Sequence, residues 1–429
     1  MQKPRPQPLT PTGEPIPLTI HHMGGEGEGG ARGPDGRVIH VGLTLPGEEI
    51  TARMAGDRAV LDQIIKPSPE RVEPPCPNFG TCGGCALQHW DTGAYLDWKV
   101  EHLRQTLAHE RIETEFLPAF MAKPGSRRRV TLHARHGTEK GQILLGFKAR
   151  RAWDVVDIEE CSIAHPRLVA ALPSLRRLAR PFLEHPKSAP SLHVTVTGTG
   201  LDVDVTGIEA KGGGLSADAR RKIADLAREF DFARVTLAGE TLYQARMPVV
   251  QFGQGRVELP AGGFLQASAD AEKIMAADAV EALAGSKRIA DLFCGSGAFS
   301  FPLATLGTVL AVDGSEPAIN ALRAGIATAP GLKTITPLAR DLFRRPLSDK
   351  DLKGIDGILF DPPRAGAAEQ AACIGQSKAS KVVGVSCNPA TFARDASLLI
   401  AKGFKLVRLR PVDQFLWSSH IELVGVFER

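Results

Sequence analysis

The 429-residue chain contains no apolar run of about eighteen residues, so no helix able to span a bilayer is expected. Its N-terminus, MQKPRPQPLTPTGEPIP, lacks an apolar h-region, and no secretory signal is expected. Cysteine is sparse and odd in number, seven in all. Without an export signal, that count argues against a disulfide framework and for a reducing, cytoplasmic setting where thiols serve metal binding or catalysis. Strong charge bias is absent too. A net charge of +4 permits nucleic acid as a partner without arguing for it. No internal repeat is evident. What is there, 43% hydrophobic and 23% charged residues, describes a globular protein long enough for two or three domains.

Residues 1–17 are proline-rich and expected to be flexible. From Leu18 to Val72, short β-like runs (LTIHHM, GRVIHVGLTL, EEITARMA, RAVLDQII) alternate with glycine turns, predicting a small all-β module. A cysteine-bearing loop follows, then helical periodicity over 93–112. Next come alternating strands, RRVTLHARH, ILLGFKAR, WDVVDIEEC, LHVTVTG and LDVDVTG, with a helix at SADARRKIADLAREF. Beyond about Gly262 the runs RIADLF, TVLAVD, KTITPL, GIDGILF, KVVGVS, KLVRLRPV and IELVGVFE alternate with helical patterns. Continuous Val/Ile/Leu runs separated by helices predict a mostly parallel sheet covered on both faces. The expected domains are 18–72, 73–262 and 263–429, with helix 93–112 packing on the last.

RIADLFCGSGAFSFPLATLG reads as strand, glycine loop and helix. Gly295 and Gly297 let the backbone turn tightly and approach a ligand at a helix N-terminus. Asp313 ends the following strand, placed to bond ribose hydroxyls. Ser300 stands where a dinucleotide fingerprint needs glycine, and no Gly-Lys-Ser/Thr follows, which excludes a Walker loop. The D-x-F-x-G-x-G form resembles motif I of class I S-adenosylmethionine methyltransferases. GILFDPPRAG sets Asp361 at a strand's C-terminal end, facing the crevice where open α/β sheets bind ligands. It resembles motif IV of the same enzymes, with Arg364 where amino-group methyltransferases carry a base-stacking aromatic.

In VSCNPATFARD a thiol, Cys387, ends a buried run just before a helix. That position is expected to lower its pKa and make it a nucleophile. Carbon 6 of uracil is a suitable target, because attack there turns carbon 5 into an enolate-like methyl acceptor. Removing the carbon-5 proton then needs a base, and Glu422 on the last strand supplies a carboxylate. An isolated buried cysteine would otherwise be a packing residue, as is expected of Cys294 and Cys373. His420 is expected to be a core or backbone-orienting histidine.

DPPRAG, VSCNPATFARD and DQFLWSSHIELV together resemble the RNA uracil-5 methyltransferase family in order and spacing. The resemblance implies Cys387 as nucleophile and Glu422 as base. It also implies a Rossmann-like α/β catalytic domain using S-adenosylmethionine, with Gln266 of GGFLQAS, Phe293, Gly295, Gly297, Asp313, Asp341 and Asp361 holding the cofactor. Three positions depart from the family pattern: Ala298 and Ser268 replace Asn, and Asp313 is shorter than the usual Glu. They bear on single ligand contacts.

CPNFGTCGGC places Cys76, Cys82 and Cys85 on one glycine-rich loop, with Cys161 of DIEECSIAHP as the natural fourth thiol. Spacing alone leaves zinc and an iron–sulfur cluster open. The resemblance implies a 4Fe–4S cluster in a central β-rich domain, as in ribosomal-RNA members, and its LPGEEI module resembles a TRAM barrel, a small OB-like RNA-binding fold. Arg127, Arg128, Arg129, Lys140, Lys148, Arg150 and Arg151 are expected to track RNA phosphates, and the target uridine to flip from its stack. The expected activity is formation of 5-methyluridine in 23S rRNA by a cytoplasmic monomer. Transfer-RNA uridine-54 methylation, a non-catalytic RNA-binding assembly factor and an N-methyltransferase are the alternatives.

Overall fold

The computed structural model describes residues 9–209 and 214–429. Alternating apolar positions such as Leu18, Ile20, Ile39, Val41, Ile50 and Ala52 turn inward and fill a closed five-stranded barrel, as period-two burial requires. Its strands are Thr12–Met23, Gly29–Arg32, Val38–Val41, Glu49–Ala55 and Arg58–Lys66. This is the small TRAM/OB-like barrel expected at this end of the chain. The flexible segment expected through residue 17 is corrected from Thr12 onward, since Ile16 and Pro17 pair with Ala52 and Thr51. Pro15 falls in a register irregularity between Thr12 and Ile16, where its missing N–H breaks no ladder bond. Residues 1–8 lie outside the described residues.

In the LPGEEI turn, buried Glu48 accepts from Leu45 N–H (2.8 Å), Ser68 N–H (3.2 Å) and Arg71 Nε (2.6 Å). Burial works against its charge, yet Arg71 and these N–H groups hold the carboxyl below its usual range. The turn is thus tied to the segment leading into the cysteine loop.

The central region is a seven-stranded sheet. On Arg129–His136, Val130, Leu132 and Ala134 pack beneath helices Leu172–Ala179 and Ala217–Glu229. Arg129, Thr131, His133 and Arg135 alternate onto the other face and are half-buried. The helices at Pro166–Ala170 and Leu172–Ala179 were not anticipated from sequence.

The C-terminal region holds a nine-stranded sheet. Strands Arg288–Leu292, Thr308–Asp313, Ile335–Ala339, Gly357–Phe360 and Lys381–Ser386 run parallel. Glu422–Glu428 enters antiparallel beside Lys381–Ser386, followed by Lys405–Asp413. Ile289, Leu359, Val383 and Val424 meet Met275, Ile319 and Leu322 on one face. Ala290, Ile358, Val382 and Leu423 meet Leu103, Ile374 and Phe392 on the other. Cover on both faces is why these strands read as unbroken apolar runs. Leu103 comes from helix Thr92–His109, and Glu115–Phe116 adds an edge strand beside Lys405–Asp413, so the chain after the cysteine loop is built into this sheet.

Candidate active site

The sheet register brings the thiol and the carboxylate together. Lys381–Ser386 pairs antiparallel with Glu422–Glu428, with Lys381 opposite Glu428 and Ser386 opposite Leu423. One further step sets Cys387 beside Glu422, on the rim that also carries Asp361. Asn388 follows as N-cap of helix Pro389–Ile400, its Oδ1 accepting from Ala390 N–H at 3.1 Å. Its Nδ2 donates to the Arg364 carbonyl at 3.0 Å, fixing the DPPR loop against the thiol.

The expectation of an acidified thiol is corrected. Burial, then Glu422 and Asp361, push Cys387 up to about 11, and Arg364 opposes them only in part. The helix N-terminus is one partial charge, whereas two carboxylates arrive from other strands. The thiol is therefore protonated at rest. Glu422 is itself raised by burial and by Asp361 despite Gln414, and Asp361 is raised by burial and Asp313. Asp291 is fully buried, pushed up to about 7 by burial and, although Ser300 opposes it, by Asp361 and Asp313.

A crevice lined by these carboxyl groups favours a cationic ligand. Asp291 Oδ1 is buried with no hydrogen-bond partner, while Oδ2 accepts from Ser300 Oγ at 2.5 Å. Gly295 has φ +54°, and a Cβ built there would meet nothing within 4 Å, so the loop fronts open space. Phe293 takes the left-handed φ of 62°, a strain of about 1–3 kcal/mol typical of ligand-clamping positions. Its ring lies 5.4 Å from that of Phe343, which is 49% exposed. Carboxylates, an open glycine cradle and an aromatic face fit a ligand with sulfonium and ammonium charges and an adenine: S-adenosylmethionine fits. The helix expected after the loop is a single short turn, Ser300–Leu303.

Other predicted ligands lie on the same rim. Gln266 Nε2 donates to Asp361 Oδ2 at 3.2 Å. Asp313 accepts from Gly295 N–H (2.9 Å) and Ser315 N–H (2.7 Å), and each oxygen keeps a second lone pair. Asp341 accepts from Phe343 and Arg344 N–H, next to Gly314, whose Cβ position lies 3.5 Å from the Asp341 Cα.

Sequence reasoning missed three supports. Gln414 bridges Gln266 and Glu422 (2.7 Å each). Asp413, fully buried, accepts from Tyr95 Oη (2.6 Å) and Lys99 Nζ (2.7 Å). Lys99 also donates to the His420 carbonyl at 2.6 Å, pinning the loop that ends at Glu422. A lysine inside the Tyr95–Lys99–Leu103–Leu107 stripe was the legible signal. His420 is exposed rather than in the core, which corrects the core-histidine expectation, and its ring lies against Phe415.

The four cysteines share a cavity of about 330 Å³ with Phe415, Leu416, Ser418 and His420 of that loop. Ala86 and Leu87 N–H both donate to the Trp417 carbonyl (2.8 and 3.0 Å). Burial first, and then Cys161, Cys82 and Cys76, push Cys85 up to about 12, against Gln88. Among the described residues no three His, Cys, Asp or Glu side chains converge on a single metal ion.

Of the seven basic residues expected to track phosphates, Arg128, Arg150 and Arg151 are paired with carboxylates of the protein. Arg128 pairs with Glu272 (2.5 Å) and the Gln266 carbonyl (3.0 Å). Arg150 and Arg151 pair with Glu28 of the barrel (3.2 and 2.9 Å), joined there by Arg58. Arg127 lies over Phe415 and Arg129 over Phe264, while Lys148 sits 3.5 Å above exposed Trp153. Lys140 is exposed.

Comparison with known proteins decides the family. The tRNA (uracil-5-)-methyltransferase family model matches residues 247–429. A Caulobacter vibrioides protein named as an uncharacterized RNA methyltransferase is 59% identical over 96% of this chain and 99% of its own. The 23S rRNA (uracil(1939)-C(5))-methyltransferase RlmD of Marinomonas posidonica is 31% identical, covering 99% and 98%. The chain belongs to the RNA uracil-5 methyltransferase family. It is an S-adenosylmethionine-dependent RNA methyltransferase. Its fold matches the crystal structure of the Pyrococcus abyssi tRNA (uracil-54, C5)-methyltransferase with S-adenosyl-L-homocysteine, at TM-score 0.73 and 24% identity, over 96% of this chain and 99% of that one.

Proposed function

We propose that this enzyme forms 5-methyluridine in 23S rRNA with Cys387 as nucleophile and Glu422 as base. The carrying observation is the antiparallel register that sets the two side by side at the mouth of a carboxylate-lined crevice. Cys387 gives its thiol proton to solvent and its sulfur bonds carbon 6 of the uracil, while the 5,6 π electrons move toward carbon 5 and the C4 carbonyl as an enolate. When bound, S-adenosylmethionine supplies an electrophilic methyl group to that carbon. Glu422 takes the carbon-5 proton, and the C–H electron pair re-forms the 5,6 double bond and expels the Cys387 thiolate. Its raised pKa suits this role, because a carboxylate near neutrality is a stronger base than one at its ordinary value. Gln266, Phe293, Gly295, Gly297, Asp313, Asp341 and Asp361 are assigned to cofactor binding.

Ribosomal over transfer RNA is favoured by the RlmD relative, similar along the full chain, and by the cysteine set. Cys76, Cys82, Cys85 and Cys161 are assigned to a 4Fe–4S cluster. All four line one cavity, and a four-thiol set is one that a 4Fe–4S cluster accepts, as tetrahedral zinc also does. We assign 18–72 to an RNA-binding barrel, 73–262 to the cluster region and 263–429 to catalysis, in a cytoplasmic monomer with RNA as partner. No helix among the described residues is long and apolar enough to cross a membrane. The test is mass mapping of 5-methyluridine in ribosomal and transfer RNA from cells lacking the gene. Loss from 23S rRNA supports the reading; persistence there with loss from tRNA transfers it to the tRNA alternative.

A further inference from the structure

We infer that Gln414 is the positioning residue for the Glu422 base and, through Gln266, ties that base to Asp361 in the cofactor crevice. The inference rests on the proposed role of Glu422. Gln414 is 4% exposed and sits where strand Lys405–Asp413 gives way to the loop leading to Glu422.

Its amide has one possible orientation. Oε1 accepts from the backbone N–H groups of Ala267 (2.9 Å) and Ser268 (3.4 Å). Nε2 must then face the other way, where it donates to Gln266 Oε1 and Glu422 Oε2 at 2.7 Å each. All four of its hydrogen-bonding positions are filled. Because Gln266 Oε1 is taken by that donor, Gln266 Nε2 is directed at Asp361 Oδ2, 3.2 Å away. Fixed backbone donors therefore set the direction of a chain running Glu422, Gln414, Gln266, Asp361.

The consequence for Glu422 is asymmetric. Oε2 is held, whereas Oε1 has no hydrogen-bond partner among the described residues and is not among the fully buried orphan atoms. Oε1 is the oxygen that takes the proton. The strand end carrying Gln414 is itself immobilised, since adjacent Asp413 is clamped by Tyr95 and Lys99. All four hydrogen-bonding positions of the Gln414 amide are taken by protein groups. It acts by setting one carboxylate, and a small misplacement of a base slows proton transfer without preventing the preceding covalent step.

The test compares wild type, Gln414→Leu, Gln414→Glu and Glu422→Gln on an unmodified 23S rRNA transcript bearing 5-tritiated uridine, with a tRNA transcript in parallel. Gln414→Glu keeps the shape and the acceptor for Ala267 and Ser268 but removes the amide donors, so it decides the matter if Gln414→Leu melts early. Protein–RNA adduct stable to denaturing gels reports attack and methyl transfer; tritium release reports base action. At saturating S-adenosylmethionine, which offsets any loosening of Gln266, both Gln414 variants are expected to form adduct within about twofold of the wild-type rate and to release tritium about tenfold more slowly. Adduct should therefore accumulate. A parallel fall in both signals, or no change in either, overturns the inference. If Glu422→Gln accumulates adduct and the Gln414 variants do not, the inference alone fails. If Glu422→Gln accumulates none, the base assignment fails and takes the inference with it.

Discussion

Cys387 in the cofactor-free enzyme should be a sluggish thiol whose reactivity climbs with pH. With its pKa near 11, roughly one thiol in 10⁴ is ionised at pH 7, against roughly 3 in 100 for a free cysteine near 8.5. The higher-pKa thiolate is intrinsically about tenfold more nucleophilic, by a Brønsted slope of about 0.4–0.5. The net expectation is alkylation roughly 20- to 30-fold slower than a free cysteine at pH 7, rising steadily into the alkaline range. Glu422→Gln removes one of the two carboxylates that raise the thiol. Since Glu422 is itself held above its ordinary range, the substitution should change little at pH 7. By about pH 9.5, where the wild-type carboxylate is charged, it should speed alkylation about threefold, taking a fall of about one pKa unit and the lower nucleophilicity that goes with it. Iodoacetamide labelling followed by peptide mass spectrometry isolates Cys387 from the other six cysteines. A flat pH profile, or labelling at pH 7 as fast as a cysteine peptide, refutes the reasoning.

Lys99→Met should lower stability by about 3–5 kcal/mol in urea unfolding, because it strands the buried Asp413 carboxylate; Lys99→Met with Asp413→Leu should recover much of that loss. Gly297→Ala should cost about 1–3 kcal/mol, since φ is +99° and the new Cβ would sit 2.6 Å from Leu322. Gly295→Ala, also at positive φ (+54°) but with nothing within 4 Å of its Cβ, should cost only about 1 kcal/mol and weaken S-adenosylhomocysteine binding by calorimetry. Glu28→Gln leaves Arg58, Arg150 and Arg151 without their shared carboxylate, so limited proteolysis between barrel and central sheet should quicken.

The catalytic sheet was legible because strands covered on both faces carry unbroken apolar runs, such as KVVGVS with Val382, Val383 and Val385 fully buried. The Cys387–Glu422 pair was legible as two strand termini, but the register that joins them is a property of the folded sheet. What local reading could not see was the environment. A helix start suggested an acidic thiol, while the carboxylates that reverse the shift come from segments distant in sequence. Arg128, Arg150 and Arg151 looked like a phosphate track because their partners, Glu272 and Glu28, are remote in the chain. Thr12–Pro17 was hidden by prolines that fall beside a register irregularity.

The central claim is a transient sulfur–carbon bond to the pyrimidine. It is tested most directly by incubating Glu422→Gln with unmodified 23S rRNA transcript and S-adenosylmethionine, digesting, and mapping any cross-linked peptide by mass spectrometry. The account predicts a methylated uridine attached at Cys387 and none with the double variant carrying Cys387→Ala. An adduct elsewhere, or full 5-methyluridine formation by Cys387→Ala alone, would contradict it.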